Sequence, residues 1–218
     1  MTHLFLGSIG VLAETSELQR QAFNDAFAEV GLDWNWSREA YSKMLRRSGG
    51  QQRIADYAEA QGMTVDAVEL HRLKSTLFQA RLDAGVPLRP GVIEAIAETR
   101  KAGGRLAFVS GTLADNVDAI LAAARLSRRD FDLVTDATWD ARPKPAPDLY
   151  LSALETLGIA AEDVLAVEDN PDGLRAASAA GIRVLAFPGL YHDGSDFTGA
   201  CAVQTELDPG AAASAGAR

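Results

Sequence analysis

Leu4-Phe5-Leu6-Gly7-Ser8-Ile9-Gly10-Val11-Leu12-Ala13-Glu14-Thr15 opens the chain as an apolar run broken by two glycines and ending in polar residues. A secretory signal would carry a basic residue ahead of its apolar stretch, and Met1-Thr2-His3 offers none. The run is also too short to span a bilayer. It reads as a short buried strand that enters a glycine-bearing loop and then a polar helix start. Neither position 7 nor position 9 carries an ionisable group, and the functional reading turns on that.

Downstream the pattern divides in two. Residues 16–30 place Leu18, Ala22, Phe23, Ala26, Phe27 and Val30 on one helical face, with Ser16 and Gln19 spaced as a capping box. Helices are predicted at about 38–47, 51–61 and 65–84, with Ser37 and Thr64 as N-caps and Gly62 as a stop. Nothing between 16 and 85 reads as a strand. From Pro87 onward, continuous apolar strands (Leu106 to Val109, Phe131 to Val134, Val164 to Val167, Val184 to Phe187) alternate with amphipathic helices. Strands apolar on both sides and separated by helices predict a parallel sheet covered on both faces. The first strand therefore joins residues 86–200 in one α/β core of segments 1–15 and 86–200. Residues 16–85 form an all-helical insertion, and 201–218 a C-terminal strand remnant and flexible tail.

Composition narrows the partners. The chain is 47% hydrophobic and 23% charged, an ordinary globular balance, and its net charge of -9 argues against nucleic acid and anionic membranes. The single Cys201 has no disulfide partner, which favours a reducing cytoplasm.

Loops at the carboxyl ends of parallel strands share one crevice. Gly7 to Gly10, Ser110-Gly111 and Glu168-Asp169 each follow a strand directly, and Lys144 lies in the loop after the third. Ser110-Gly111-Thr112 ahead of a helix suits a phosphate, though it serves equally as a helix cap. Lys144 stands among Pro143, Pro145 and Pro147, stiffer surroundings than a surface charge needs. Glu168 and Asp169 could hold a hard cation or cap the next helix. His3, His71 and His192 show no metal spacing, and Trp34, Trp36 and Trp139 read as packing.

Taken together, Thr112-Leu113 with Asp115-Asn116-Val117, Arg142-Pro143-Lys144-Pro145-Ala146-Pro147-Asp148, and Val167-Glu168-Asp169-Asn170-Pro171-Asp172-Gly173 resemble the haloacid dehalogenase superfamily. Within it the resemblance is to the beta-phosphoglucomutase-like branch and its CbbY-type sugar-bisphosphate phosphatases. Ala13-Glu14-Thr15, Gly49-Gly50 with Arg53, and Pro188-Gly189 with Tyr191 extend it over nearly the whole chain. The fold this implies is a Rossmann-like core with a helical cap closing over the crevice. It implies a phosphoric monoester hydrolase acting on a phosphorylated sugar, with phosphate on Ser110, Gly111 and Lys144, and magnesium on Glu168 and Asp169. Glu14, Arg47, Gly50 and Arg53 would meet substrate from the cap side, where a solvated helix face is the plainer reading of the arginines. Gln19 and Gln51 replace the histidine and lysine usual to the family.

The first motif departs. Aligning Gly10-Val11-Leu12 with the family pattern puts Gly7 at the nucleophilic aspartate and Ile9 at the acid/base aspartate. Glycine cannot attack phosphorus and isoleucine cannot carry a proton; losing a nucleophile alone costs on the order of a millionfold in turnover. Magnesium loses a ligand too and is expected to bind weakly or not at all, leaving Lys144 as partner of the remaining carboxylates. Alternation along the strand points Ser8 away from the crevice. Two classes remain: a pseudoenzyme that binds a phosphorylated sugar or a protein without hydrolysis, and an active magnesium-dependent phosphatase using a displaced group. If the defect is confined to one loop, Gly7→Asp with Ile9→Asp should restore phosphate release, and the fold should tolerate both.

Overall fold

A computed structural model of the chain describes residues 2–47, 49–192 and 194–210. At its centre lies β1 (His3–Leu6), hydrogen-bonded on one side to β2 (Leu106–Val109) and on the other to β4 (Val164–Glu168). With β3 (Leu133–Thr135), β5 (Arg183–Ala186) and β6 (Ala202–Val203) they form a six-stranded sheet of order β3-β2-β1-β4-β5-β6, every pairing parallel. β6 is a two-residue strand at the sheet's edge, and residues 211–218 of the expected flexible tail fall outside the described residues.

Successive side chains on a strand face opposite ways, so β1 feeds two cores. Leu4 and Leu6 pack with Phe108, Leu165 and Val167 beneath α6 (Val92–Lys101) and α7 (Ala114–Ala123). Phe5 packs with Ala107, Val109 and Ala166 beneath α8 (Asp148–Leu157) and α9 (Pro171–Ala179). Two covered faces explain why the strands read as unbroken apolar runs.

The strand β1 is short because the chain turns at Gly7. Ser8 takes an extended N-cap conformation, and Ile9–Leu12 forms one helical turn, α1, that tucks Val11 and Leu12 into the first core. Four helices follow before β2: α2 (Ser16–Glu29), α3 (Arg38–Met44), α4 (Gly50–Ala60) and α5 (Ala67–Leu82). They enclose a separate aromatic cluster of Phe23, Phe27, Trp34, Trp36, Tyr41 and Ile54. Ser37 caps α3 by accepting from the Ala40 N–H, as its position predicts.

Two other caps differ. Ser16 and Gln19 form no capping box, since α2 starts at Ser16 itself behind Thr15 and the Ser16 N–H goes to Glu14 instead. α5 is capped by Asp66, not Thr64; its carboxylate accepts from both Val68 and Glu69, which a hydroxyl two residues earlier cannot reach.

One core residue crosses over. Tyr191, in the 3-10 turn Leu190–His192 beyond β5, is buried in the aromatic cluster of the inserted helices. Its hydroxyl donates to Glu17, its ring meets Tyr41 edge-on at 5.8 Å, and its carbonyl accepts from Ser42.

Candidate functional site

The carboxyl ends of β1, β2 and β4 are neighbours in the sheet, so Gly7, Ser110 and Glu168 come together as the topology requires. Lys144 reaches the same point from the loop after β3. That loop is braced by Arg142, whose backbone and guanidinium donate to Asp148 at 2.8–3.0 Å and hold its carboxyl down at about 2.

The ammonium of Lys144 has three protons, and all three are used. They go to Glu168 Oε1 at 2.6 Å, to the Val109 carbonyl at 3.0 Å and to the Gly7 carbonyl. Tyr150 donates its hydroxyl to the same Glu168 Oε1 at 2.6 Å, and its ring lies 4.8 Å from the ammonium. Glu168 is completely buried, and its Oε2 has no hydrogen-bond partner among the described residues. Burial pushes the Glu168 carboxyl up from the usual carboxylate range, while Lys144 pulls the other way. The Tyr150 phenol is raised well above its ordinary value, by burial first and the adjacent Glu168 second.

Ser8 corrects the alternation argument. Because the strand ends at Leu6, Ser8 is free to turn, and its hydroxyl donates to Asp169 Oδ1 at 2.7 Å. Asn170 donates to the same oxygen at 2.7 Å while its own Oδ1 caps α9 at the Gly173 N–H. Ile9 meanwhile packs its side chain against the two core clusters on either side of α1.

The remaining predicted residues are distributed as follows. Ser110 is buried; its hydroxyl accepts from the Thr112 N–H and its carbonyl from Thr135, so it closes its own turn, with Gly111 facing Leu149. Glu14 bridges the entry to α2 and the loop after β5, accepting from Ser16 N at 3.0 Å and Leu190 N at 2.5 Å. Arg53 lies over Tyr41 and donates to the carbonyls of Met44 and Arg47. Arg47 itself extends outward, with Asp56 3.9 Å away. Gly50 begins α4 so close to His71 that a Cβ would stand 2.6 Å from Nε2.

Three participants escaped the sequence reading. Tyr150 sits in the apolar helix α8, where spacing alone gives its hydroxyl no partner. Arg89, between Leu88 and Pro90, stitches the carbonyls of Gly10, Phe187 and Pro188 together. Lys74 is buried in α5, its ammonium over the rings of Phe23 and Phe78 and 2.9 Å from Gln19 Oε1. A lysine in an otherwise helical apolar spacing is the one signal that could have flagged it.

A hard dication such as magnesium wants about six oxygens from carboxylates, carbonyls and water. The donors here do not fit it. Glu168 and the Gly7 carbonyl are taken by an ammonium, Asp169 is engaged by Ser8 and Asn170, and position 7 contributes no carboxylate. Among the described residues no group of three or more His, Cys, Asp or Glu is placed to hold a metal ion.

A parallel sheet whose carboxyl-end loops gather a lysine, two consecutive carboxylates and a serine, with helices inserted after the first strand, is the architecture of a phosphoryl-handling hydrolase fold. The sequence pattern described as haloacid dehalogenase-like hydrolase matches residues 10–187, and this chain belongs to that family. The match begins just past positions 7 and 9. Among its relatives, the plasmid-borne Protein CbbY of Cupriavidus necator is 44% identical over 214 residues, spanning 92% of this chain and 84% of that protein. Protein CbbY of Cereibacter sphaeroides is 41% identical over 197 residues, spanning 88% and 86%. A crystal structure of a CbbY mutant from Rhodobacter sphaeroides in complex with xylulose-(1,5)bisphosphate superposes with a TM-score of 0.89 at 38% identity, covering 94% of this chain and 95% of that one.

Proposed function

We propose that this chain is a sugar-phosphate phosphatase homologue that keeps a crevice for a phosphorylated sugar but does not turn it over by the family's route. The carrying observation is at Gly7. It has no carboxylate to attack phosphorus, and the Glu168 carboxylate and Tyr150 hydroxyl occupy the place where a side chain at 7 would start. Ile9 supplies no proton to a leaving group. In this reading, segments 1–15 and 86–200 act as the core, and the helices of 16–85 close over it as a cap. Tyr191 straps the two together by donating its hydroxyl to Glu17. Ligand class is supported by the xylulose-(1,5)bisphosphate complex of the Rhodobacter sphaeroides relative. The net charge of -9 disfavours nucleic acid, and no helix among the described residues is long and apolar enough to cross a membrane. The lone Cys201 favours a cytoplasmic setting.

A phosphate-release screen over sugar mono- and bisphosphates with magnesium tests this. No release above background is expected, together with calorimetric binding of a sugar bisphosphate. Sustained release that Lys144→Ala abolishes would overturn it. The contact between Ser8 and Asp169 favours one second reading, a phosphatase with a displaced hydroxyl nucleophile; there, Ser8→Ala would remove the turnover.

A further inference from the structure

Glu168 stands between two glycines. A Cβ built on Gly7 would fall well inside 3.0 Å of the Glu168 carboxylate and of the Tyr150 hydroxyl, and a Cβ on Gly173 would do the same to the other side of that carboxylate. Neither glycine has positive φ, so the backbone at both places would accept any residue. What requires glycine is the volume Glu168 fills. Gly173 sits inside the first turn of α9, where glycine is ordinarily a loss relative to alanine. An unforced helical glycine against a buried carboxylate is the mark of a packing role.

We infer that Glu168 is no metal ligand in this protein: its carboxylate fills the side-chain volume of position 7 as the buried counter-ion of Lys144, and the crevice excludes divalent cations. The charge balance supports this. An ammonium buried with Lys144's low exposure needs a negative partner, and with no carboxylate at position 7 Glu168 is the one in reach at 2.6 Å. Tyr150 supplies a second donor to the same oxygen. A dication arriving at Glu168 would meet that ammonium already seated on both Glu168 and the Gly7 carbonyl. Binding it would mean breaking a bond to each and swinging the carboxylate out from between Gly7 and Gly173. The metal ligand of the family pattern has thus become a structural part, and the glycine at 7 is a steric requirement as well as a lost nucleophile.

The alternative arrangement, Glu168 turned outward, predicts the opposite sign for the same substitutions. Space would then be free at both glycines, and Gly7→Ala or Gly173→Ala would raise the melting temperature by restricting the unfolded chain. With Glu168 inward, each is expected to lower it, by roughly 2–12 °C for an overpacked site in a chain this size. In a Glu168→Ala background, itself less stable, the further loss from Gly173→Ala should vanish, since the three atoms nearest its Cβ all belong to the Glu168 carboxylate. There the loss from Gly7→Ala should shrink without vanishing, because the Tyr150 hydroxyl also stands against that Cβ. The unaltered chain provides the metal arm, independent of any sugar ligand. Electron paramagnetic resonance should show manganese(II) remaining free, and magnesium should leave the melting temperature unchanged. Stabilisation by either glycine substitution, a Gly173→Ala loss that persists in full without Glu168, or stoichiometric manganese binding would overturn the inference. Phosphate release plays no part in these readouts, so they can fail while the proposed function stands, and the reverse.

Discussion

Lys74→Met should stabilise this protein near and below neutral pH, and the gain should fade as the solution becomes alkaline. Lys74 is buried with Gln19 as its hydrogen-bond acceptor and two aromatic faces around its ammonium. Of its titratable neighbours, Arg53 on α4 is a cation and His71, one turn back on its own helix, is neutral near pH 7, so neither offers a counter-charge. Burial first, and Arg53 second, lower the amine from 10.5 to about 7. In the unfolded chain the proton stays on until about pH 10.5, so between pH 7 and that value the unfolded state holds one proton more. Stability then rises with pH across the window, at about 1.36 kcal/mol per pH unit. Below pH 7 both states are charged, and the folded protein carries the full burden, on the order of 5 kcal/mol. Methionine keeps the packing and removes the charge, at the loss of a hydrogen bond worth about 1 kcal/mol and ring contacts worth about as much. The variant should therefore be more stable than the parent by roughly 3 kcal/mol at about pH 6. That lead should shrink by about 2.7 kcal/mol between about pH 7 and pH 9. Urea unfolding of both proteins across that range gives the two slopes. Parallel slopes, or a variant less stable at acid pH, would mean that the amine keeps its ordinary proton affinity and refute the burial argument.

Two further outcomes follow from the same geometry. Restoring both carboxylates, Gly7→Asp with Ile9→Asp, collides with Glu168 and strips apolar packing from α1. Unlike the expectation drawn from sequence, the double variant should melt below the parent in metal-free buffer, then gain a magnesium-dependent rise together with phosphate release from a sugar bisphosphate; a metal-free melting temperature equal to the parent's would contradict the packing. His71, lowered by burial and by Lys74 and Arg53 to about 4, should stay neutral through the physiological range, so its imidazole proton resonances should hold still between about pH 5.5 and 8, where an ordinary histidine near 6.5 moves.

Much of this protein is legible in its residues alone. Apolar runs at Leu106 to Val109 and Val164 to Val167 mark strands covered on both faces, because a residue buried on either side of a sheet must be apolar whichever way it points. Spacing places Lys144, Ser110 and Glu168-Asp169 at one end of that sheet, and the empty chemistry of Gly7 and Ile9 is visible without coordinates. Three-dimensional packing decided the rest. Sequence alternation turned Ser8 away, and only the chain's turn at Gly7 brings its hydroxyl onto Asp169. Tyr150 and Lys74 do not stand out in the sequence, since a pattern of 3.6 says which side of a helix is buried but not what waits there. The two roles of Glu168, metal ligand or counter-ion, are the same letter in the same motif. Which one it takes depends on whether the volume at position 7 is filled from within the strand or from across the sheet, and that is settled by atoms 161 residues apart in the chain and next to each other in the fold.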